Sequence, residues 1–410
     1  MSRRALLWIA FVLVHVGVAA LGFLMPNEPM GDVYRVYEPW STAALTGGGI
    51  VGIDSVWVYP QLALVPMVLA HGFAAIVGNY VLGWALLVIA VDAAAFAVLV
   101  GRGRSTGRSV AAWFWLASIA ALGPVGLYRL DGFTVALAVA GCLWLVGRPW
   151  LGSMLLAAAT WVKVWPAAIL AAAFIAVRRR GAILGGALVV SAITMVAVVG
   201  AGGMANLFGF VSDQSTRGLQ VEAPISMPYL WGALLGWDGF WVYYSTDLLT
   251  FQVTGTDIDA VIAAMTPVLM VVIAAVALLG GIRAWRGARF AALFPPLSLA
   301  LVTAFIAFNK VGSPQYLCWI VPPLVIGLVL DRRAWFGPAA LGVVLALLTQ
   351  LVYPVLYLGI IADLDSVAVT VLTVRNILVV VLFGWSVVRL LRTGRRPAAG
   401  IPRQNLSETV

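Results

Sequence analysis

Charge is scarce in this chain. Its 410 residues include only 16 acids and 25 bases, and only two of the bases, Lys163 and Lys310, are lysines. So little charge beside 63% hydrophobic residues and a mean hydropathy of +1.03 excludes a water-soluble globular domain and points to a polytopic membrane protein. Cysteine is limited to Cys142 and Cys318, both inside apolar runs, which excludes a disulfide framework and a thiolate metal site. Histidine is limited to His15 and His71, too far apart in the pattern for a metal pair. Neither residue type shows a metal-ligand spacing.

What charge there is has a pattern. Of the 25 cations, 19 fall in short linkers: Arg3-Arg4, Arg102/Arg104/Arg108, Arg148, Arg178-Arg179-Arg180, Arg283/Arg286/Arg289, Arg332-Arg333 and the tail from Arg389 to Arg403. Placed in the cytoplasm, these linkers orient every span by the positive-inside rule. They also explain the net charge of +9 without a nucleic-acid partner. The spans then lie at 5–24, 80–100, 110–127, 132–147, 149–162, 164–177, 182–200, 258–281, 290–308, 317–330, 335–357 and 367–388. The expected fold is all-α, a bundle of about twelve transmembrane helices with both termini cytoplasmic. One membrane domain is expected over 1–393 and a cytoplasmic tail over 394–410. The first run is taken as an uncleaved span, since its apolar core is too long for a signal peptide and no small-residue cleavage site precedes Asn27-Glu28.

The segment Gln61–Val77 does not fit as a crossing, because a crossing there would carry Arg102 and Arg104 to the outside. It is expected as an interfacial helix opened by Pro60. Two long outer loops follow from this topology, 25–79 and 201–257, the second with an aromatic stretch at 237–244. The same topology places 13 of the 16 acids at or beyond the outer face, all but Asp92, Asp331 and Glu408. Lys163 and Lys310 fall at outer mouths of spans, in loops broken by Pro or Gly. There they would either bind an anionic lipid headgroup or snorkel to the interface. Arg129 stands beside Asp131 at another outer mouth, where it would pair locally or touch a ligand. Arg375 lies two turns inside the last span, a costly place for a guanidinium, which serves either a ligand cavity or a pair with a carboxylate such as Asp92. Asp32, in Met30-Gly31-Asp32-Val33-Tyr34, stands where a lipid headgroup would lie and is a candidate general base, with Glu28, Glu38 and Asp54 as alternatives.

Several stretches in this order carry a resemblance. They are the loop aspartate with Val-Tyr following, Val58-Tyr59-Pro60, Tyr128-Arg129-Leu130-Asp131, Val162-Lys163-Val164-Trp165-Pro166, Arg217-Gly218-Leu219-Gln220-Val221-Glu222, and Asn309-Lys310-Val311-Gly312-Ser313-Pro314-Gln315-Tyr316. Together the chain resembles the GT-C glycosyltransferases. Within them it is similar to the actinobacterial polyprenol-phosphate-mannose-dependent mannosyltransferases that build phosphatidylinositol mannosides. The resemblance implies inverting transfer of mannose from a polyprenyl-phosphate donor to a glycolipid acceptor at the extracytoplasmic face of the plasma membrane, by a monomer that needs no metal. It implies Asp32 as base, with Lys163, Lys310, Arg375 and Arg129 at the donor phosphate. Tyr34, Asp54, Tyr59, Asp131, Arg217, Gln220, Glu222, Gln315 and Tyr316 would shape the sugar or acceptor pocket. Gln315-Tyr316 replaces the histidine that some relatives carry near the tenth span. Two alternatives stay open: another lipid-linked sugar, arabinofuranose or glucose, or a lipid or solute transporter. A transporter would place its ionisable groups near the midplane in related halves, which this chain does not show.

Overall fold

The computed structural model describes residues 2–213 and 217–394; residues 214–216 of the second long loop and the expected tail from 395 onward lie outside them. The helices begin and end where local chemistry directs. α1 (Arg3–Leu24) opens at Ser2, whose Oγ accepts from the Ala5 N–H at 3.2 Å. A short α2 (Glu38–Thr46) and α3 (Leu64–Val77) follow, each closed by a left-handed glycine, Gly47 and Gly78. α4 (Tyr80–Val100) and α5 (Thr106–Leu122) are capped by the side chains of Asn79 and Ser105. Gly83 lets α3 press onto α4, because a Cβ there would meet the Ala74 N at 2.6 Å and the Ala70 O at 2.7 Å.

α6 (Leu130–Trp144), α7 (Pro149–Val162) and α8 (Pro166–Ala176) are short. α9 (Arg180–Gly200) is long and leads through α10 (Gly209–Asp213) and α11 (Met227–Leu234) to two strands, the non-helical elements among the described residues. β1 (Trp241–Ser245) and β2 (Thr250–Thr254) pair antiparallel, Trp241 opposite Thr254 and Ser245 opposite Thr250. The aromatic stretch expected as loop is thus a hairpin, with Trp241, Tyr243 and Tyr244 on exposed positions. The bundle closes with α12 (Ile258–Trp285), α13 (Phe290–Ala307), α14 (Val321–Gln350), α15 (Tyr357–Ile361) and α16 (Ser366–Leu391).

Among the described residues, eight helical segments are long and apolar enough to cross a membrane: α1, α4, Thr106–Gly126, α9, α12, α13, Pro314–Val355 and α16. The all-α polytopic fold is therefore what the chain adopts. Twelve crossings were expected, and the difference has two sources. Pro314–Val355 holds two of them, since α14 bends at Asp331 (φ −150°, ψ 82°), where the Asp331 carboxylate accepts from the Ala334 N–H at 3.1 Å. Three others are α6, α7 and α8, of 15, 14 and 11 residues. At 1.5 Å per residue such helices are only about 16–22 Å long, against a hydrocarbon core of ~30 Å.

α13 is the centre of the bundle, 78% buried over its span, whereas α9 and α12 are 22% and 11% buried and form the apolar rim. The basic linkers gather at one pole. Gly103 packs against Arg4, Gly107 against the backbone of Val329, and Arg283 donates to the Thr393 O. Arg389 donates to the Ala334 O and lies over the Trp335 ring, 4.8 Å from its centroid. The opposite pole carries Asp32, Asp131 and Glu222.

Candidate active site

The first long loop folds back sharply after α1. Asn27 and Glu28 adopt left-handed backbone (φ 58° and 46°), and two tight turns close with Gly31 N donating to Glu28 O at 2.7 Å and Val33 N to Met30 O at 2.9 Å. This delivers Asp32 to the start of the helical turn Val33–Tyr37, with its side chain 38% exposed. Its partner is Arg129, the residue before α6, whose side chain is 9% exposed. The two form an ion pair. Burial acts to strip the proton from Arg129, but Asp32, with Tyr353 and Tyr37, more than offsets that, so the guanidinium stays firmly charged.

A second ion pair lies beside the first. Asp131, in the first turn of α6 and wholly buried, accepts from Lys163 Nζ at 2.6 Å and from the Trp319 indole N–H at 2.6 Å. Lys163 caps α7 at the break before α8, and the ammonium sits 5.6 Å from the Tyr59 ring centroid and 5.7 Å from that of Tyr316. Behind them stands a wall of stacked rings: Tyr316 on Trp319 at 4.0 Å, and Trp319 on Trp165 at 5.6 Å. Trp165 is held in turn by Thr134 of α6 at 3.1 Å. Tyr59 joins the two pairs. Burial, then the charges of both Asp32 and Asp131, push its hydroxyl well above the ordinary value, so it remains a neutral donor.

A third group forms around the second long loop. The segment 219–221 runs along β2, with Val221 N donating to Phe251 O at 3.1 Å and Val253 N to Leu219 O at 3.0 Å. Gln220 stitches it to the loop after α13, since its N–H donates to the Lys310 O at 3.0 Å and its Oε1 accepts from Gly312 N at 3.2 Å. Gly312 is needed there because a Cβ would stand 2.3 Å from the Ala223 N. This arrangement buries Glu222. Burial raises its carboxyl to about 7, while Arg375 and hydrogen bonds from Tyr357 and Gln220 restrain the rise. Lys310 is buried near Arg217, and burial first, then Arg217, lowers its pKa.

Not every expected residue joins these groups. Tyr34 donates to Glu28 at 2.6 Å on an exposed patch shared with Arg35. Exposed Asp54 closes its own turn by accepting from the Ile50 N–H at 2.6 Å. Gln315 is half-buried beside Tyr316. Arg129 pairs with Asp32, not with its neighbour Asp131, which takes Lys163 instead. Arg375 is 0% exposed and faces Glu222, whereas Asp92 pairs with His15 at 3.1 Å inside the bundle. Sequence reasoning missed Trp319, Tyr37, Tyr353 and Tyr357. Trp319 had a signal: it lies three residues after Tyr316 in a 3₁₀ turn, where such residues share a face.

A carboxylate half open to solvent, cations beside it and neutral hydroxyls around it can take a proton and steady a departing anion. The family model of glycosyltransferase family 87 matches residues 57–308. The chain belongs to glycosyltransferase family 87. It is accordingly a membrane glycosyltransferase. The region matched to glycosyltransferase family 87 contains Tyr59, Arg129, Asp131, Lys163, Arg217, Gln220 and Glu222, and leaves Asp32, Lys310, Tyr316 and Arg375 on its flanks. No curated protein matches the chain.

Proposed function

We propose that this protein transfers mannose, with inversion, from a polyprenyl-phosphate donor to a glycolipid acceptor of the phosphatidylinositol mannoside or lipomannan type at the non-cytoplasmic face of the plasma membrane. The single observation that carries the reading is Asp32, a half-exposed carboxylate paired with Arg129 and lying beside the buried Asp131–Lys163 pair. Asp32 takes the proton of the acceptor hydroxyl as its oxygen attacks the anomeric carbon. The bond from that carbon to the phosphate oxygen breaks, and polyprenyl phosphate leaves with the electron pair. Lys310 and Arg217, neighbouring cations of the loops that meet at Gln220, steady the departing charge. Tyr316, the partly exposed end of the stack on Trp319 and Trp165, offers a flat face to a sugar ring. A site at this pole is cut off from cytosolic sugar nucleotides, which favours a lipid-carried donor.

The test uses purified protein in detergent micelles with tritiated polyprenyl-phosphate mannose and phosphatidylinositol mannoside acceptors. Labelled glycolipid should form, and Asp32→Asn should lower the rate by about 10²-fold or more, the scale of a lost general base. Asp32→Asn that turns over like the parent removes the assignment of the base. Transfer from a glucosyl or arabinofuranosyl lipid donor alone replaces the sugar.

A further inference from the structure

Resting on the reading of Asp32 as base, we propose that Arg129 and Tyr353 are positioning residues that aim Asp32, and that Arg129 is not a ligand of the donor phosphate. Arg129 has no open face to offer an anion. The residue is 7% exposed; its guanidinium meets the Asp32 carboxylate at one edge, donates to the Tyr353 hydroxyl at 3.4 Å at another, and lies 5.8 Å from the centroid of the Tyr353 ring. Its Nε is buried with no hydrogen-bond partner among the described residues, so the cation is closed off from an incoming anion, and its charge is directed to Asp32, which it orients. The pair engages Oδ2 of Asp32, and no other described residue hydrogen-bonds the carboxylate, so Oδ1 is left to meet a hydroxyl.

Tyr353 holds the loop as well as the arginine. Its hydroxyl donates to the Asn27 O at 3.1 Å, while the Asn27 side chain donates back to the Pro354 O at 2.7 Å. These two bonds pin the left-handed turn at Asn27, five residues ahead of Asp32, to the segment Leu351–Val355. Tyr353 is itself braced by Tyr357, edge-on at 5.0 Å, which hydrogen-bonds Glu222. The base is thus set from the far end of the chain: the segment Leu351–Val355 that follows α14 carries Tyr353, Tyr353 fixes Arg129 and the loop, and Arg129 fixes Asp32. Misplacement of a catalytic group by about 1 Å costs on the order of 10²-fold in rate.

Two measurements on purified full-length protein test this. Hydrogen–deuterium exchange needs no substrate. Tyr353→Phe, which keeps the ring and loses both bonds of the hydroxyl, should raise amide exchange over residues 26–37 and leave α13 unchanged. Kinetics with tritiated polyprenyl-phosphate mannose should show Arg129→Gln lowering kcat roughly 10- to 100-fold at a donor KM within about twofold of the parent. Arg129→Lys should recover part of kcat, and Tyr353→Phe should add little to Arg129→Gln, because both act on one chain of contacts. Arg129→Gln that raises donor KM and keeps kcat makes Arg129 a phosphate ligand and overturns the proposal, as does unchanged exchange over 26–37 in Tyr353→Phe. Failure of the reaction itself is separate. A parent enzyme inert toward this donor, or an Asp32→Asn variant that turns over normally, sinks the substrate or the base while the exchange result still decides whether Arg129 and Tyr353 hold the loop.

Discussion

Asp131 is wholly buried, and its carboxylate is tolerated because an ammonium and an indole N–H each reach it at 2.6 Å. Taking away one member of such a pair leaves the other charge without compensation, which costs about 3 kcal/mol or more. Asp131→Asn should therefore lower the Tm in detergent markedly, and so should Lys163→Met. The double variant should lose less than the sum of the two, because each single loss is mostly the penalty of the orphaned partner. Additive losses would show that the two side chains do not depend on one another. Glu222 makes a different prediction, in pH. Its ordinary carboxyl value is 4.5 and the folded value about 7. Between these, the native protein holds a proton that the unfolded chain has released, so stability falls as pH rises from about 4.5 to 7 and then levels off, by up to roughly 3 kcal/mol. Thermal melts of the parent at pH 5 and pH 8 should show that fall, and Glu222→Gln should flatten it. A parent melt independent of pH would mean that Glu222 does not carry a raised pKa.

The site is assembled by loops that meet end to end, and glycine decides how closely they meet. At Gly312 an added Cβ would stand 2.4 Å from the Glu222 carbonyl carbon and 2.3 Å from the Ala223 N, both backbone atoms that cannot swing aside. Gly312→Ala should separate the 309–316 loop from the 219–223 segment and cost about 1–3 kcal/mol, with loss of transfer activity. Gly281 in α12 is the control: nothing stands near its Cβ position, so Gly281→Ala should be neutral or stabilise by about 0.5–1 kcal/mol. If Gly312→Ala melted and turned over like the parent, the contact would not be tight. The elements themselves were legible in the sequence because an apolar run near 20 residues declares a span whatever it packs against. The loop motifs around Asp32, Lys163 and Lys310 were legible for the same local reason: few polar residues interrupt the runs. What the runs could not show was pairing. Arg129 adjoins Asp131 in the chain and binds Asp32; Arg375 faces Glu222 and not Asp92. Those choices depend on how separate helix ends converge, and Tyr353 reaches Asn27 across most of the chain. The hairpin was missed because Trp241, Tyr243 and Tyr244 suit both an interfacial anchor and a strand.

Seen as a whole, the molecule is polarised. Arg4, Arg102, Arg283, Arg332 and Arg389 sit in or beside the linkers that meet at one pole, while Asp32, Asp131, Lys163, Glu222 and Lys310 occupy the other. The positive-inside rule assigns the basic pole to the cytoplasm, since arginine-rich linkers resist translocation. Cysteine labelling of intact cells tests that assignment directly, and the native thiols do not interfere, because Cys142 and Cys318 are buried. Arg35→Cys lies on an exposed patch at the acidic pole, and Arg333→Cys lies on the exposed turn where α14 bends. A membrane-impermeant maleimide should label the first in intact cells and the second only after permeabilisation. The reverse pattern would put Asp32 in contact with cytosolic sugar nucleotides, and the argument for a lipid-carried donor would then fail even though the fold and the ion pairs stand. The expected pattern would put the pole that carries Asp32, Asp131 and Lys163 on the side where sugars arrive on lipids, as the proposed donor requires.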